Sequence, residues 1–244
     1  MIALTRIFKE SESVNLTPRH PGQSPRDYPI YTVPQAASYL AVPERTLRYW
    51  VTDHPLWPVA GAHGNLPLMS FRDIAQAYYI EIVRRHFHLS VSKTREVLIN
   101  AQKESKARYP LLRPNIRLFF KHILMDKGAS GKLGRRVIDL SQHRQLAIDK
   151  VADQYSTRVR WDTQGEPSEI FPWRHWIPGD DRKPVSISPN VMSGNLVITG
   201  TRIPVQTVLD RKNAGESIAN LASDYGLSGD AIVQALEHLV PQAA

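Results

Sequence analysis

The spacing of apolar and polar positions changes along the chain and divides it into four segments. Residues 1–29 end in TPRHPGQSPRDYP, where four prolines in 13 residues predict an extended, flexible arm. Residues 30–114 have apolar positions at helical spacing, and residues 115–177 change period and mix strand patterns with one helical pattern. A compact module follows over residues 178–244.

Helices dominate the second segment. PQAASYL and PERTLRYWV each begin with a proline, which is tolerated in the first turn of a helix. The stretch DHPLWPVAGAHGNLPLM is rich in Gly and Pro and predicts a hairpin, or wing. Ser70 then precedes a long helix, FRDIAQAYYIEIVRRHF, with Asp73 placed close to a capping box. Ser90 or Ser92 opens one more helix, SKTREVLINAQKES.

The last two segments mix strands and helices. The patterns predict strands for NIRLFFKHILM, RRVIDL and TRVRWDT, and a helix for SQHRQLAIDKVADQY. VSISP and NLVITG predict a hairpin, followed by helices in TRIPVQTVLDRKNAG, ESIANLASDYG and SGDAIVQALEHL. The expected fold class is therefore α+β and mostly helical. It has an N-terminal winged helix-turn-helix, a small central α+β unit, and a C-terminal β-hairpin with a three-helix, helix-turn-helix-like module.

Two stretches fit the twenty-residue pattern of a helix-turn-helix. The pattern requires a small residue where the helices cross, a turn-forming residue between them, and five apolar positions facing the shared core. Residues 33–52 supply Ala37, Ala41, Ala36, Leu40, Val42, Leu47 and Trp50. Residues 218–237 supply Ala222, Gly226, Leu221, Tyr225, Leu227, Ile232 and Ala235. The shape is expected at both sites, although packing of two helices without DNA shares much of this pattern.

Charge separates the two sites. The chain carries a net charge of +8, with 11 basic and 6 acidic residues in 30–114 but 5 and 7 in 178–244. A polyanion is therefore expected to meet the first part of the chain, while the C-terminal module suits protein contacts.

The absence of Cys excludes disulfides, Cys-ligated zinc and thiol nucleophiles. No apolar run approaches the roughly 20 residues of a membrane helix, and no signal peptide is visible, so a cytoplasmic protein is expected.

The candidate DNA contacts lie on the second helix of the N-terminal pair, on the wing and at the start of the next helix. Arg binds guanine through two hydrogen bonds, and Thr, Tyr and Arg bind phosphates. The candidates are Arg45, Thr46, Arg48, Tyr49, His63, Asn65 and Arg72. The alternative is that Arg45 and Arg48 only keep a helix face solvated. The equivalent C-terminal helix offers Asp230, Gln234, Glu237 and His238 without Lys or Arg, so it is not expected to bind DNA.

Three residues are candidates for partner contacts. Trp173 and Trp176 stand in a Pro-rich connector, where the rings could anchor a partner or pack onto a neighbouring domain. Arg202 follows Gly200 and could pair with a carboxylate of its own domain or of a partner.

The segment GASGKLG at 128–134 lacks phosphate-loop spacing. His86 and His88 would lie on different helix faces. We therefore expect no catalytic residues, no metal, no cofactor and no enzymatic activity.

These residues carry a resemblance to a known family. YTVPQAASYLAVPERTLRYW is similar to the winged helix-turn-helix opening of MerR-like regulators, and more closely to the DNA-binding domain of long VapB-type antitoxins. The C-terminal block with GTRIPV, AGESI and DYGL resembles the module that ends those antitoxins. One departure is Asn195-Leu196, where the family more often has a bulkier or Pro-containing strand start.

The resemblance implies a type II antitoxin that binds and neutralises a PIN-like VapC ribonuclease and represses its own operon. Operator DNA and the toxin are then the expected partners, and the chain would act as a homodimer or higher oligomer. Inverted half-sites about one helical turn apart would follow from two-fold symmetry. The alternative is a stand-alone MerR-like regulator whose C-terminal half binds a small effector.

Overall fold

The computed structural model describes residues 24–53, 55–87, 89–112, 157–177 and 179–240. The arm up to residue 23 lies outside the described residues. So do the predicted strands NIRLFFKHILM and RRVIDL, the helix SQHRQLAIDKVADQY and the GASGKLG turn.

The described chain folds into helices and two small antiparallel sheets. Its α-helices are α1 (Val33–Leu40), α2 (Glu44–Arg48), α3 (Phe71–Phe87), α4 (Val91–Ser105), α5 (Val205–Asn213), α6 (Ile218–Tyr225) and α7 (Gly229–Leu239). Its strands are β1 (Tyr31–Thr32), β2 (Gly61–His63), β3 (Leu66–Met69), β4 (Val159–Trp161), β5 (Pro167–Ile170), β6 (Val185–Ile187) and β7 (Leu196–Ile198). The expectation of a mixed α and β chain is confirmed at this level.

Local capping explains where the helices begin. The Ser70 hydroxyl accepts a hydrogen bond from the Asp73 N–H at 3.2 Å, and the Asp73 carboxylate accepts one from the Ser70 N–H at 2.8 Å. This is the reciprocal capping box that the sequence predicts for α3. Ser90, rather than Ser92, caps α4 by accepting from the Lys93 N–H. Ser217 and Ser228 cap α6 and α7 through the same type of contact, which satisfies amide groups that have no partner within the helix.

The larger of the two sheets contains strands from two of the four segments predicted from the sequence. One sheet has the strand order β1–β3–β2 and the other β4–β5–β6–β7, with antiparallel neighbours throughout. The predicted hairpin of β6 and β7 is confirmed, with Val185 opposite Ile198. In the larger sheet Ile170 of β5 pairs with Ile187 of β6, so this sheet spans the expected boundary at 177/178.

One apolar core connects the parts of the described chain. It includes Leu47, Trp50 and Ile74 from the N-terminal helices, and Ile170, Val185 and Ile232 from the later strands and helices. No described helix is both long and apolar enough to cross a membrane.

Candidate functional site

Helices α1 and α2 meet across a tight turn. Ala41 adopts the left-handed conformation with φ 54°, and the Val42 N–H donates to the Ala37 carbonyl at 3.0 Å. Ala37, Leu47 and Trp50 are at most 2% exposed. The small side chain of Ala37 therefore lets the helices approach, while the apolar side chains fix α2 on the core. The positions that the sequence pattern assigned to this packing are buried.

The outer side of α2 presents the predicted basic residues. Arg45 is exposed. The Arg48 guanidinium contacts the Glu44 carboxylate of the previous turn at 2.6 Å. Thr46 and Tyr49 are half-buried. Within this helix Arg45 is thus the better placed cation for an external anion, because Glu44 already offsets part of the charge of Arg48.

The hairpin of β2 and β3 carries two further candidate DNA contacts, His63 and Asn65. His63, Gly64 and Asn65 are exposed at its tip, and Gly64 takes a φ of 56°, which a residue without a side chain adopts at little cost. This tip is the turn between β2 and β3. Its imidazole and amide side chains suit contacts with a phosphate backbone.

A buried carboxylate attaches the hairpin to α3. Asp73 accepts hydrogen bonds from the indole N–H of Trp57 at 2.9 Å, the backbone N–H of Ala60 at 2.9 Å and the hydroxyl of Tyr109 at 3.1 Å. It also accepts from the N–H and hydroxyl of Ser70. One side chain therefore joins the residues before β2 to the start of α3 and to Tyr109.

Arg72 is engaged within the chain. Its guanidinium lies 3.4 Å from the carboxylate of Asp27 and 3.1 Å from that of Glu166, and its side chain is 20% exposed. Arg26 likewise contacts Asp162 at 2.5 Å. These pairs join the segment before β1 and the start of α3 to the β4–β5 turn. Arg72 therefore joins two parts of the fold. The sequence placed Arg72 among the candidate DNA contacts and did not predict these ion pairs.

Helices α6 and α7 repeat the turn geometry of the first pair. Gly226 has a φ of 63°, and the Leu227 N–H donates to the Ala222 carbonyl at 2.9 Å. Asp230 is exposed at the start of α7, whereas His238 is fully buried. The ring of His238 is therefore not available to an external ligand, because its nitrogens contact the Tyr39 carbonyl of α1 and the Arg174 N–H.

Trp173 and Trp176 lie at the same junction. Trp173 is 5% exposed, its indole N–H donates to Asp180 at 3.2 Å, and its ring stacks on His238 with centroids 6.4 Å apart. Trp176 is half-buried and donates to the Asp180 carbonyl. Hydrogen bonds from Arg182 hold the pKa of Asp180 at about 2. The structure thus favours the alternative in which the two tryptophans pack within the chain.

Arg202 is one of the residues that line a groove on the larger sheet, which we call the β-face groove. The groove encloses about 570 Å³ and is lined by Arg160, Ser168, Glu169, Ser186, Ser188, Asn190, Val191, Gly200, Thr201 and Arg202. Arg160 was not among the predicted site residues. Its place in TRVRWDT, next to the buried Val159, was the available signal, because alternate residues of a strand point to opposite faces.

A second, smaller cavity lies between α3 and the tryptophan segment. It encloses about 170 Å³ and is lined by Leu40, Tyr78, Glu81, Ile82, Arg85, Trp173, Arg174 and Trp176. This is below the usual range of ligand sites, about 300–1,000 Å³. Across the described residues no group of three or more His, Asp or Glu side chains is arranged to hold a metal ion.

Comparison with known proteins gives one likeness over a part of the chain and two over most of it. Residues 185–238 match the family described as "Protein of unknown function (DUF433)". A relative from Mycobacterium tuberculosis (strain ATCC 25618 / H37Rv), named "Putative antitoxin VapB45", is 23% identical over 233 residues, covering 86% of this chain and 94% of the relative. The X-ray crystal structure of Rv2018 from Mycobacterium tuberculosis matches with a TM-score of 0.61 and 21% identity, over 85% of this chain and 97% of that one. The chain therefore shares its fold with Rv2018 and is similar along most of its length to a protein named as an antitoxin.

Proposed function

We propose that this chain is the antitoxin of a type II toxin–antitoxin pair, which neutralises a PIN-like ribonuclease toxin and represses the operon that encodes both. The observation that carries the proposal is the similarity to the protein named as antitoxin VapB45. It extends over 86% of this chain and 94% of the relative, so it covers the N-terminal and C-terminal parts together.

The N-terminal part is the proposed winged helix-turn-helix. In this proposal α2 enters the major groove of operator DNA, and the tip at His63 and Asn65 lies on the backbone. Support comes from the buried helix crossing at Ala37 and from the exposure of Arg45 beside it. Residues 30–114 also carry 11 basic against 6 acidic residues, which favours a polyanion as the ligand. Arg45, Thr46, Arg48 and Tyr49 are the proposed contacts, and two chains would bind inverted half-sites as a dimer.

The C-terminal part is proposed to bind the toxin. Its acidic residues outnumber its basic ones, which disfavours nucleic acid as the ligand there. Removing residues 178–244 would be a poor test of this assignment. The deletion takes away β6 and β7 and leaves β5 of the larger sheet without its neighbour. Point variants on an intact sheet are therefore required.

The first experiment uses the protein encoded next to this chain. That protein is induced alone and then together with the full chain, and the complex is recovered through a tag on the full chain. Growth arrest by the neighbour, rescue by this chain and a stable complex are the expected results. Absence of both toxicity and complex would contradict the antitoxin proposal and shift attention to a stand-alone regulator.

The second experiment measures DNA binding by fluorescence anisotropy on a fragment of the promoter upstream of the pair. Arg45→Ala is expected to weaken binding by about 1–3 kcal/mol if the guanidinium contacts a base. Lys212→Ala is the matched control, since Lys212 is an exposed cation on α5, far along the chain. Equal losses in both variants would contradict the placement of the DNA contact on α2.

A further inference from the structure

The β-face groove has an asymmetric charge. The guanidinium of Arg160 lies 2.6 Å from the carboxylate of Glu169 on the neighbouring strand, so the two charges offset each other. Arg202 is exposed and forms no ion pair with any residue that the structure describes. The groove thus presents one guanidinium whose charge has no described counterpart, and a guanidinium binds a carboxylate through two parallel hydrogen bonds.

The hydroxyl groups in the groove are already used as donors. The Ser188 hydroxyl donates to the Ser168 carbonyl at 2.9 Å, and the Thr201 hydroxyl donates to the Ile198 carbonyl at 2.8 Å. Each oxygen also accepts one backbone hydrogen bond, Ser188 from the Asn190 N–H at 3.4 Å and Thr201 from the Ile203 N–H at 3.0 Å. One lone pair therefore remains on each hydroxyl oxygen for a donor of a ligand, and Arg202 supplies a cationic donor in the same groove.

This combination suits a peptide backbone better than the phosphate backbone of a nucleic acid. A peptide backbone supplies N–H donors for the hydroxyl oxygens, and an Asp or Glu side chain supplies the carboxylate for Arg202. Phosphate oxygens accept but do not donate, so they would face the lone pairs of Ser188 and Thr201 without a hydrogen bond. An extended polyanion would bring several like charges to the Glu169 carboxylate and to the net negative residues 178–244, whereas a segment with a single carboxylate places its one charge on Arg202.

We infer that the β-face groove binds an extended segment of a partner protein that carries one acidic residue, whose carboxylate lies on Arg202. The inference rests on the proposed function in one respect, because the toxin would be the protein that supplies the segment. The volume of about 570 Å³ lies within the usual range of ligand sites.

The test is selection from a displayed library of random decapeptides on the immobilised full chain. The wild-type chain is expected to enrich peptides with Asp or Glu at one fixed position. Arg202→Ala should lose this enrichment and bind a selected peptide at least about tenfold more weakly. Arg202→Glu should favour Lys or Arg at the same position. Lys212→Ala removes an equally exposed cation outside the groove and should behave as the wild type does.

Acidic enrichment that survives in Arg202→Ala, or the selection of peptides without a fixed acidic position, would overturn the inference. Binding of a single-stranded oligonucleotide that is lost in Arg202→Ala would overturn it in favour of a phosphate site. Unfolding temperatures of the variants confirm that the chain still folds.

The two proposals fail in different ways. A complex with the neighbouring protein that is unaffected by Arg202→Ala would overturn the groove as the toxin site and leave the antitoxin function standing. Arg202-dependent selection of acidic peptides without any complex with the neighbouring protein would do the reverse.

Discussion

The imidazole Nε2 of His238 lies 2.8 Å from the backbone carbonyl oxygen of Tyr39. This contact joins the last turn of α7 to the end of α1, across 199 residues of sequence. The other ring nitrogen, Nδ1, accepts a hydrogen bond from the Arg174 N–H at 3.2 Å. Nε2 therefore carries the hydrogen in the neutral ring and donates it to Tyr39, so both ring nitrogens are satisfied only in that form.

Acid is expected to weaken this junction. Burial, together with the positive charge of Arg174, lowers the pKa of His238 to about 4. The unfolded chain binds the proton at about pH 6.5, so the neutral ring contributes stability above that pH. The contribution declines as the pH falls from about 6.5 to about 4, by about 3 kcal/mol in total. Urea unfolding at steps between pH 7 and pH 4.5 measures it.

His238→Gln is the comparison for this prediction, because the amide cannot titrate. The variant should be less stable than the wild type at pH 7, and the difference should shrink as the pH falls. Parallel pH profiles of the two proteins would mean that another group governs the acid response.

Gly194→Ala, in the connection between β6 and β7, is expected to disrupt the contact of that connection with Tyr31 of β1. Gly194 has a φ of 84°, and its carbonyl accepts a hydrogen bond from the Tyr31 hydroxyl at 3.0 Å. A Cβ at this position would lie 2.0 Å from that hydroxyl oxygen, which no conformation of the alanine avoids. The free energy of unfolding should fall by about 3 kcal/mol or more, since steric overlap adds to backbone strain.

Gly200→Ala measures the cost of the left-handed backbone conformation without the steric overlap found at Gly194. Gly200 has a similar φ of 78°, but a Cβ there would meet nothing within 4 Å. Its substitution should cost only about 1–2 kcal/mol, the cost of the left-handed conformation. Equal losses of unfolding free energy in the two variants would show that the overlap with the Tyr31 hydroxyl does not contribute to the loss.

The features that the sequence predicted correctly are those determined by neighbours along the chain. Ser70 and Asp73 are three residues apart, and their reciprocal hydrogen bonds follow from helix geometry alone. The left-handed turn at Ala41 and the burial of Leu47 follow from the packing of two adjacent helices in the same way. Local rules were sufficient for these elements.

The contacts that the sequence did not predict join distant parts of the chain. Arg72 pairs with Glu166, and the Trp173 ring stacks on His238; neither partner can be recognised from local spacing. Asn195, noted as a departure from the family pattern, accepts a hydrogen bond from the Tyr39 hydroxyl at 3.0 Å. That contact gives the departure a structural role, which becomes visible only when the sheet is placed beside α1.

Asp73→Asn should loosen the hairpin. The carboxylate accepts five hydrogen bonds, and an amide of the same size would place N–H donors against some of those donors. The expected loss of unfolding free energy is about 2–4 kcal/mol, because buried groups would be left unpaired. Asp53→Asn, at an exposed position, is the control and should change stability by less than about 0.5 kcal/mol. A loss as small as that of the control would exclude Asp73 as the group that fixes the hairpin.

Glu44→Gln is expected to tighten DNA binding if α2 is the helix that contacts it. Glu44 holds the Arg48 guanidinium at 2.6 Å and places a carboxylate on the same exposed face. Removing that charge frees Arg48 for a phosphate or a base, so the affinity should rise severalfold and the dependence on salt should steepen by about one counterion. Anisotropy titrations at several salt concentrations measure both quantities.

Arg48→Ala tests the other half of the same pair. A loss of about 1–3 kcal/mol on the promoter fragment, with a smaller loss on random DNA, would assign Arg48 to a base. Equal losses on both sequences would assign it to a phosphate. If neither Glu44→Gln nor Arg48→Ala changes the affinity, the Glu44–Arg48 pair only solvates α2, and the DNA contact lies elsewhere on the chain.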